Sequence, residues 1–227
     1  MTTKKTIFVL GAGASMPYGF PSGSYRVEEI CTATQSHINP KLTTGEYLDD
    51  QANFLSREKI HEILISRFGS RDTKAFGEAV LRSNQSSIDA FLEHRTEFIE
   101  IGKIAIALFI LRKEKEADLF SFDNRKNGCY QYLFSKLNAG WDEFGENQIG
   151  FITFNYDRSL EHFLFNALQN TYNKSEDDCA KKLSELPIIH LHGSLGKHRW
   201  QSKGGIQYGA GMDEDHVDNT NLVLAEK

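Results

Sequence analysis

Four consecutive apolar residues, Ile7-Phe8-Val9-Leu10, run directly into Gly11-Ala12-Gly13-Ala14-Ser15. An unbroken apolar run that ends in a glycine-rich break is the pattern of a strand buried on both faces that turns sharply at its C-terminal end. Gly11 and Gly13 allow positive φ and a close backbone approach, which a diphosphate cradle requires. A tight strand-to-helix turn is the alternative on the glycine signal alone. A full dinucleotide fingerprint would need a third glycine where Met16 stands and an acid some twenty residues on at a strand end. Glu28 and Glu29 fall too early, within a predicted helix, so a hydride-transferring dehydrogenase is disfavoured.

Two further β-rich runs end in polar chemistry. Ile149 to Phe154 leads into Asn155-Tyr156-Asp157, and Pro187 to Leu191 leads into His192-Gly193. Between the runs the apolar period is helical: Tyr25 to about Thr34, Ile60 to Phe68 closed by Gly69, Phe76 to Leu81, Tyr130 to Leu137, and Leu160 to Leu168. Ser86 and Ser87 precede an apolar stripe from Ile88 to Phe109 that reads as one helix of roughly seven turns. Residues 35 to 55 read as loop. Strands alternating with helices predict an α/β fold, a Rossmann-like parallel sheet with helices on both faces, here carrying a large helical insertion at about residues 35–140. The whole chain reads as a single domain.

In such a sheet, ligands sit beyond the carboxyl ends of the strands. All three predicted strands carry unusual residues at that end. Asn155 and Asp157, two apart, would face one side of an extended loop; an Asx turn and a helix N-cap near Ser159 are the competing assignment. His192 would share a side with His190 and is the better placed of the two for acid–base work, while His190 reads as a core histidine.

The composition narrows the classes. The 227 residues carry 26 Lys plus Arg against 31 Asp plus Glu, a net charge of −5 that leaves no electrostatic footprint for nucleic acid. Cys31, Cys129 and Cys179 form no CxxC pair, so neither a disulfide framework nor a metal module is expected, and a reduced, cytoplasmic compartment fits. The longest apolar stretch, Ile101 to Leu111, is too short to span a bilayer, and no membrane partner is expected.

Taken in order, Gly11-Ala12-Gly13-Ala14-Ser15 with Gly19-Phe20-Pro21, then Phe154-Asn155-Tyr156-Asp157, then His190-Leu191-His192-Gly193-Ser194 resembles the three-part signature of the sirtuin (SIR2-like) superfamily, in the branch found in bacterial anti-phage defence. The resemblance spans about residues 6–196. It implies NAD as substrate and cleavage of the nicotinamide–ribose bond. Gly11, Ala12, Gly13, Ala14 and Ser15 would then contact the diphosphate and adjoining ribose, with Phe20 and Pro21 closing over the nicotinamide end. Asn155 would hold the reacting ribose or a water, Asp157 the carboxamide, and His192 would act as general base. Nicotinamide leaves from a cation, so an oxocarbenium-like transition state needs positioned groups more than an acid.

The resemblance further implies an effector that depletes NAD, acts as a homo-oligomer and is switched on by assembly or a trigger, with an ATPase or other defence protein as a potential partner. Deacylating sirtuins carry a four-cysteine zinc module after the histidine, whereas no cysteine follows Cys179 here. Water as acceptor is therefore expected, giving ADP-ribose. A non-catalytic NAD or ADP-ribose sensor is the alternative, and a protein deacylase a weaker one. Leu222 to Leu224 reads as a strand just beginning, so further strands are expected from a longer protein or a neighbouring chain.

Overall fold

A computed structural model describes residues 2–34, 51–123, 128–137 and 139–211, without the side chains of residues 51–56. Of the loop expected over residues 35–55, residues 35–50 lie outside the described residues, as does the strand expected at 222–224, while residues 51–55 are helical, which corrects the expectation there. The chain divides into two compact units, one formed by Met1–Pro21 with Lys113–Lys227, the other by Ser22–Arg112. The described residues of 113–140, which the sequence assigns to the helical insertion, fall in the first of these units.

Among the described residues the first unit holds three strands, β1 (Thr6–Leu10), β2 (Ile149–Thr153) and β3 (Ile188–His190), in the order β1-β2-β3 and all parallel. The fold class is thus mixed α/β with a small parallel sheet. Leu10 pairs with Thr153 and Thr153 with His190, so the three strands end on one row.

Burial alternates along β1 and β2. On one face, Phe8 stacks on its register partner Phe151 at 5.6 Å, with Ile149 buried beside them. On the other, Ile7 and Val9 are 66% and 64% exposed, and Ile189, which shares their face, 52%. The expectation of a first strand buried on both faces is corrected. An apolar run cannot distinguish a covered face from an open one, because its side chains are apolar on both.

The β2–β3 crossover contains two helices that bear the cap signals of their sequence. After β2 comes Ser159–Tyr172, ended by Asn173 in the left-handed region (φ 50°). Ser175 then caps Glu176–Ser184 by accepting the Asp178 N–H; acids fill the first turn of this helix, and Lys181 and Lys182 the last. Two short helices, Glu116–Leu119 and Tyr130–Lys136, complete the regular helices described in this unit.

The second unit is helical: α1 (Gly23–Thr34), α2 (Gln51–Ser83), α3 (Ile88–Leu92) and α4 (Ile99–Leu111). Numbering onward, Glu116–Leu119 is α5, Tyr130–Lys136 α6, Ser159–Tyr172 α7 and Glu176–Ser184 α8. Gly69 interrupts α2 at φ 79°, ψ 158°, the break read from its position after Phe68. Buried Glu29 is ion-paired with Arg57 at 2.5 Å and with Arg112.

The single long helix expected over residues 88–109 is corrected. The chain leaves helical geometry at Arg95 (φ −126°, ψ 68°), passes through a 3-10 turn at Thr96–Phe98 and restarts as α4. Leu92 lies so close to Gly102 that a Cβ there would fall 2.6 Å from it. Both segments keep apolar spacing because both bury a stripe, and the period continues although the helix does not.

Candidate functional site

The common row of strand ends brings the glycine turn, the Asn155–Asp157 segment and the His190–Gly193 segment together. After β1 the chain forms two successive 3-10 turns, Ala12–Ala14 and Met16–Tyr18, ending at Gly19 with φ 87°. Gly11 is extended (φ −115°, ψ −171°), and Gly13 is likewise outside the positive-φ set. The positive φ foreseen for this pair is instead adopted at Gly19 and Gly193. What Gly11 and Gly13 leave is space: a Cβ at either would meet nothing within 4 Å. Phe20 is buried and Pro21 half-buried just past Gly19.

Asn155 ties β2 to this turn. Its Nδ2 donates to the Gly11 carbonyl at 3.0 Å and to Ser15 Oγ at 3.2 Å, while its own N–H donates to Thr153 Oγ1 at 3.0 Å. Asp157 is also buried and takes the Asx assignment: its Oδ1 accepts from the Ser159 N–H at 3.2 Å and from the Ser159 hydroxyl. Burial raises its carboxyl above the ordinary range, opposed by hydrogen bonds from Ser159 and Ser15, with the Glu161 charge adding to the rise. Ser159 Oγ in turn lies 2.7 Å from the buried Tyr130 hydroxyl, and Tyr18 Oη accepts the Tyr130 N–H at 3.0 Å while the two rings stack.

His192 is half-buried and contacts the rings of Phe154 and Tyr156, at 5.7 and 6.2 Å. Its backbone departs from the expectation that it shares a side with His190 along an extended strand. β3 ends at His190, and the Gly193 N–H bonds back to the His190 carbonyl, making a turn in which Gly193 has φ 82°. The two-residue alternation stops where the strand does.

His190 is not the plain core histidine foreseen. Its Nδ1 lies 2.7 Å from the Asn155 carbonyl and its Nε2 2.6 Å from Glu161 Oε1. Burial works against the imidazolium, but the hydrogen bond and charge of Glu161 outweigh it and lift His190 to about 9. Glu161 itself is held low by His190 against the upward push of burial.

Behind the loop, Arg158 is 1% exposed and forks onto Glu114, Nε to Oε1 at 2.9 Å and Nη2 to Oε2 at 2.6 Å, while its Nη1 donates to the carbonyls of Ile206 and Lys197. His198 stacks between His162 and Trp200 at 5.5 and 5.2 Å, and burial and the Arg158 charge depress it to about 3.

Sequence reasoning missed Glu161, Ser159, Tyr130, Arg158 and Glu114. Glu161 had one usable signal, since it is the acid in the first turn of the helix that directly follows the Asn155–Asp157 segment and so stays near the same row of strand ends. Tyr130 and Glu114 had none, because each reaches the site through tertiary contact alone.

Among the described residues no group of three or more His, Cys, Asp or Glu is placed to hold a metal ion. No helix among them is long and apolar enough to cross a membrane. Compared with known proteins, the chain matches no family model, no curated protein and no solved structure.

Proposed function

We propose that this chain is a sirtuin-like NAD hydrolase, cleaving NAD to nicotinamide and ADP-ribose on a Rossmann-like sheet. The observation that carries the reading is the direct bond of Asn155 to the glycine turn at Gly11 and Ser15, with His192 in the turn two residues beyond the adjoining strand. Open space beside Gly11 and Gly13 suits a diphosphate, and Asn155, just past β2, is bonded to the same turn at Gly11 and Ser15. In the reaction the C1′–N bond breaks with its electron pair moving to the nicotinamide ring. Water attacks C1′ and gives its proton to His192. Asn155 supplies neutral hydrogen bonds that position ribose or water. Phe20 and Pro21 would close the nicotinamide end. A cytoplasmic, homo-oligomeric effector that depletes NAD in anti-phage defence, with a partner ATPase or other defence protein, is the setting this chemistry fits.

A second reading, a nucleotide sensor that binds NAD without cleaving it, is favoured by one observation: the Asn155 amide and the Asp157 carboxyl are both committed to protein partners. Purified protein with NAD separates the two. The hydrolase releases nicotinamide and ADP-ribose, and His192→Ala, which removes only ring contacts, abolishes release with an unchanged melting temperature. Retained turnover in His192→Ala refutes the base assignment. Tight binding of intact NAD with no nicotinamide released even in the full assembly establishes the sensor.

A further inference from the structure

We infer that the Glu161–His190 ion pair is a positioning device that clamps the Asn155 backbone and so holds the Asn155 side chain on the glycine turn, making the site dependent on a charged histidine. Its functional consequence rests on the reading of Asn155 as a site residue. The physical argument starts from proton inventory. A carbonyl oxygen only accepts, and so does an ionised carboxylate. The Asn155 carbonyl at 2.7 Å from Nδ1 and Glu161 Oε1 at 2.6 Å from Nε2 therefore each require a proton on the facing nitrogen. A neutral imidazole has one. Only the imidazolium satisfies both, and both partners are largely enclosed, with side chains 12% and 10% exposed.

The bonds form a continuous chain across the fold. Glu161 on α7 holds His190 at the end of β3; His190 holds the Asn155 carbonyl after β2; Asn155 Nδ2 holds the Gly11 carbonyl and Ser15 Oγ after β1. The charged groups acting on His190 are Glu161 and, more weakly, Asp157, both favouring the cation. Glu161 in turn feels His198 from the segment beyond β3. Loss of the His190 proton leaves a ring lone pair facing either the carbonyl or the carboxylate, and the clamp is released.

Glu161→Gln discriminates this from simple packing. A glutamine amide donates as well as accepts, so a neutral His190 with its proton on Nδ1 can bond the Asn155 carbonyl and accept from Gln at the same time. The charge requirement then disappears while shape is kept. His190→Gln has no such escape, since one amide cannot donate to both acceptors in this geometry.

The experiment follows the ring nitrogens of His190 and the Asn155 side-chain amide by NMR in ¹⁵N-labelled protein from pH 6 to 10, beside pH profiles of NAD cleavage. In the unaltered protein, His190 is an imidazolium at pH 7.5 and titrates near 9. The Asn155 amide resonances move with the same midpoint, and kcat falls about tenfold across it. Glu161→Gln loses that alkaline limb, and His190→Gln lowers turnover at every pH. A neutral His190 at pH 7.5, an Asn155 amide indifferent to its titration, or an unchanged limb in Glu161→Gln overturns the inference. If no NAD is cleaved even in the full assembly, the hydrolase reading fails, and the two NMR observations still decide whether the clamp exists.

Discussion

Replacing Glu114 by Ala removes both carboxylate oxygens from the Arg158 fork and leaves a guanidinium, 1% exposed, with only the Ile206 and Lys197 carbonyls to face. Breaking a buried pair from one side costs about 3–5 kcal/mol, because the remaining charge stays desolvated without a counterion. Against a typical domain stability of about 5–15 kcal/mol this is a large fraction. For a chain of this size it corresponds to a fall in melting temperature on the order of 10 °C. The Gly209 N–H, which donates to Glu114 Oε2 at 3.4 Å, loses its acceptor as well. Urea unfolding followed by tryptophan fluorescence reports on this event, since Trp141 and Trp200 both belong to the unit that contains the pair. The double replacement Glu114→Leu/Arg158→Met strands no charge and is expected to be more stable than Glu114→Ala. A loss below about 1 kcal/mol in the single variant, or a double variant less stable than the single, refutes the reasoning.

Gly11→Ala should leave stability unchanged or raise it by about 0.4–1 kcal/mol, because the backbone there is extended and the added methyl meets nothing. The same methyl occupies the space assigned to the diphosphate, so KM for NAD should rise about tenfold by the steric argument; an unchanged KM would remove the turn from the site. Gly77→Ala would drive its Cβ into Thr34 Oγ1 and to 2.6 Å from Thr34 Cβ, forcing α1 from α2 at a cost of about 1–3 kcal/mol, measurable as earlier loss of helical circular dichroism. Because His190 is raised to about 9 from an ordinary value near 6.5, its contribution is complete below about pH 6.5 and is lost as pH rises through about 9. Urea unfolding between those limits should show a decline of up to about 3 kcal/mol that is flattened in Glu161→Gln.

Much of the local structure was legible in the chain. The three strand ends, the helix at Ser159–Tyr172, the break at Gly69 and the helix over Tyr130–Lys136 follow from apolar period and punctuation, which are properties of neighbouring residues. The stripe from Ile88 to Phe109 misled because a period reports which side is buried, not whether the backbone stays helical between two buried stretches. The run Ile7 to Leu10 misled for a related reason, since exposure of Ile7 and Val9 depends on what covers the second face. At the site, sequence determined the residues set at each strand end: the glycine turn, Asn155 with Asp157, and the two histidines. Only the tertiary structure decided their roles toward one another, joining Asn155 to Gly11 across 144 positions and His190 to Glu161 across 29. Hydrogen bonds and ion pairs act over about 3 Å of space, and the register of three parallel strands, not spacing along the chain, is what brings those atoms within reach.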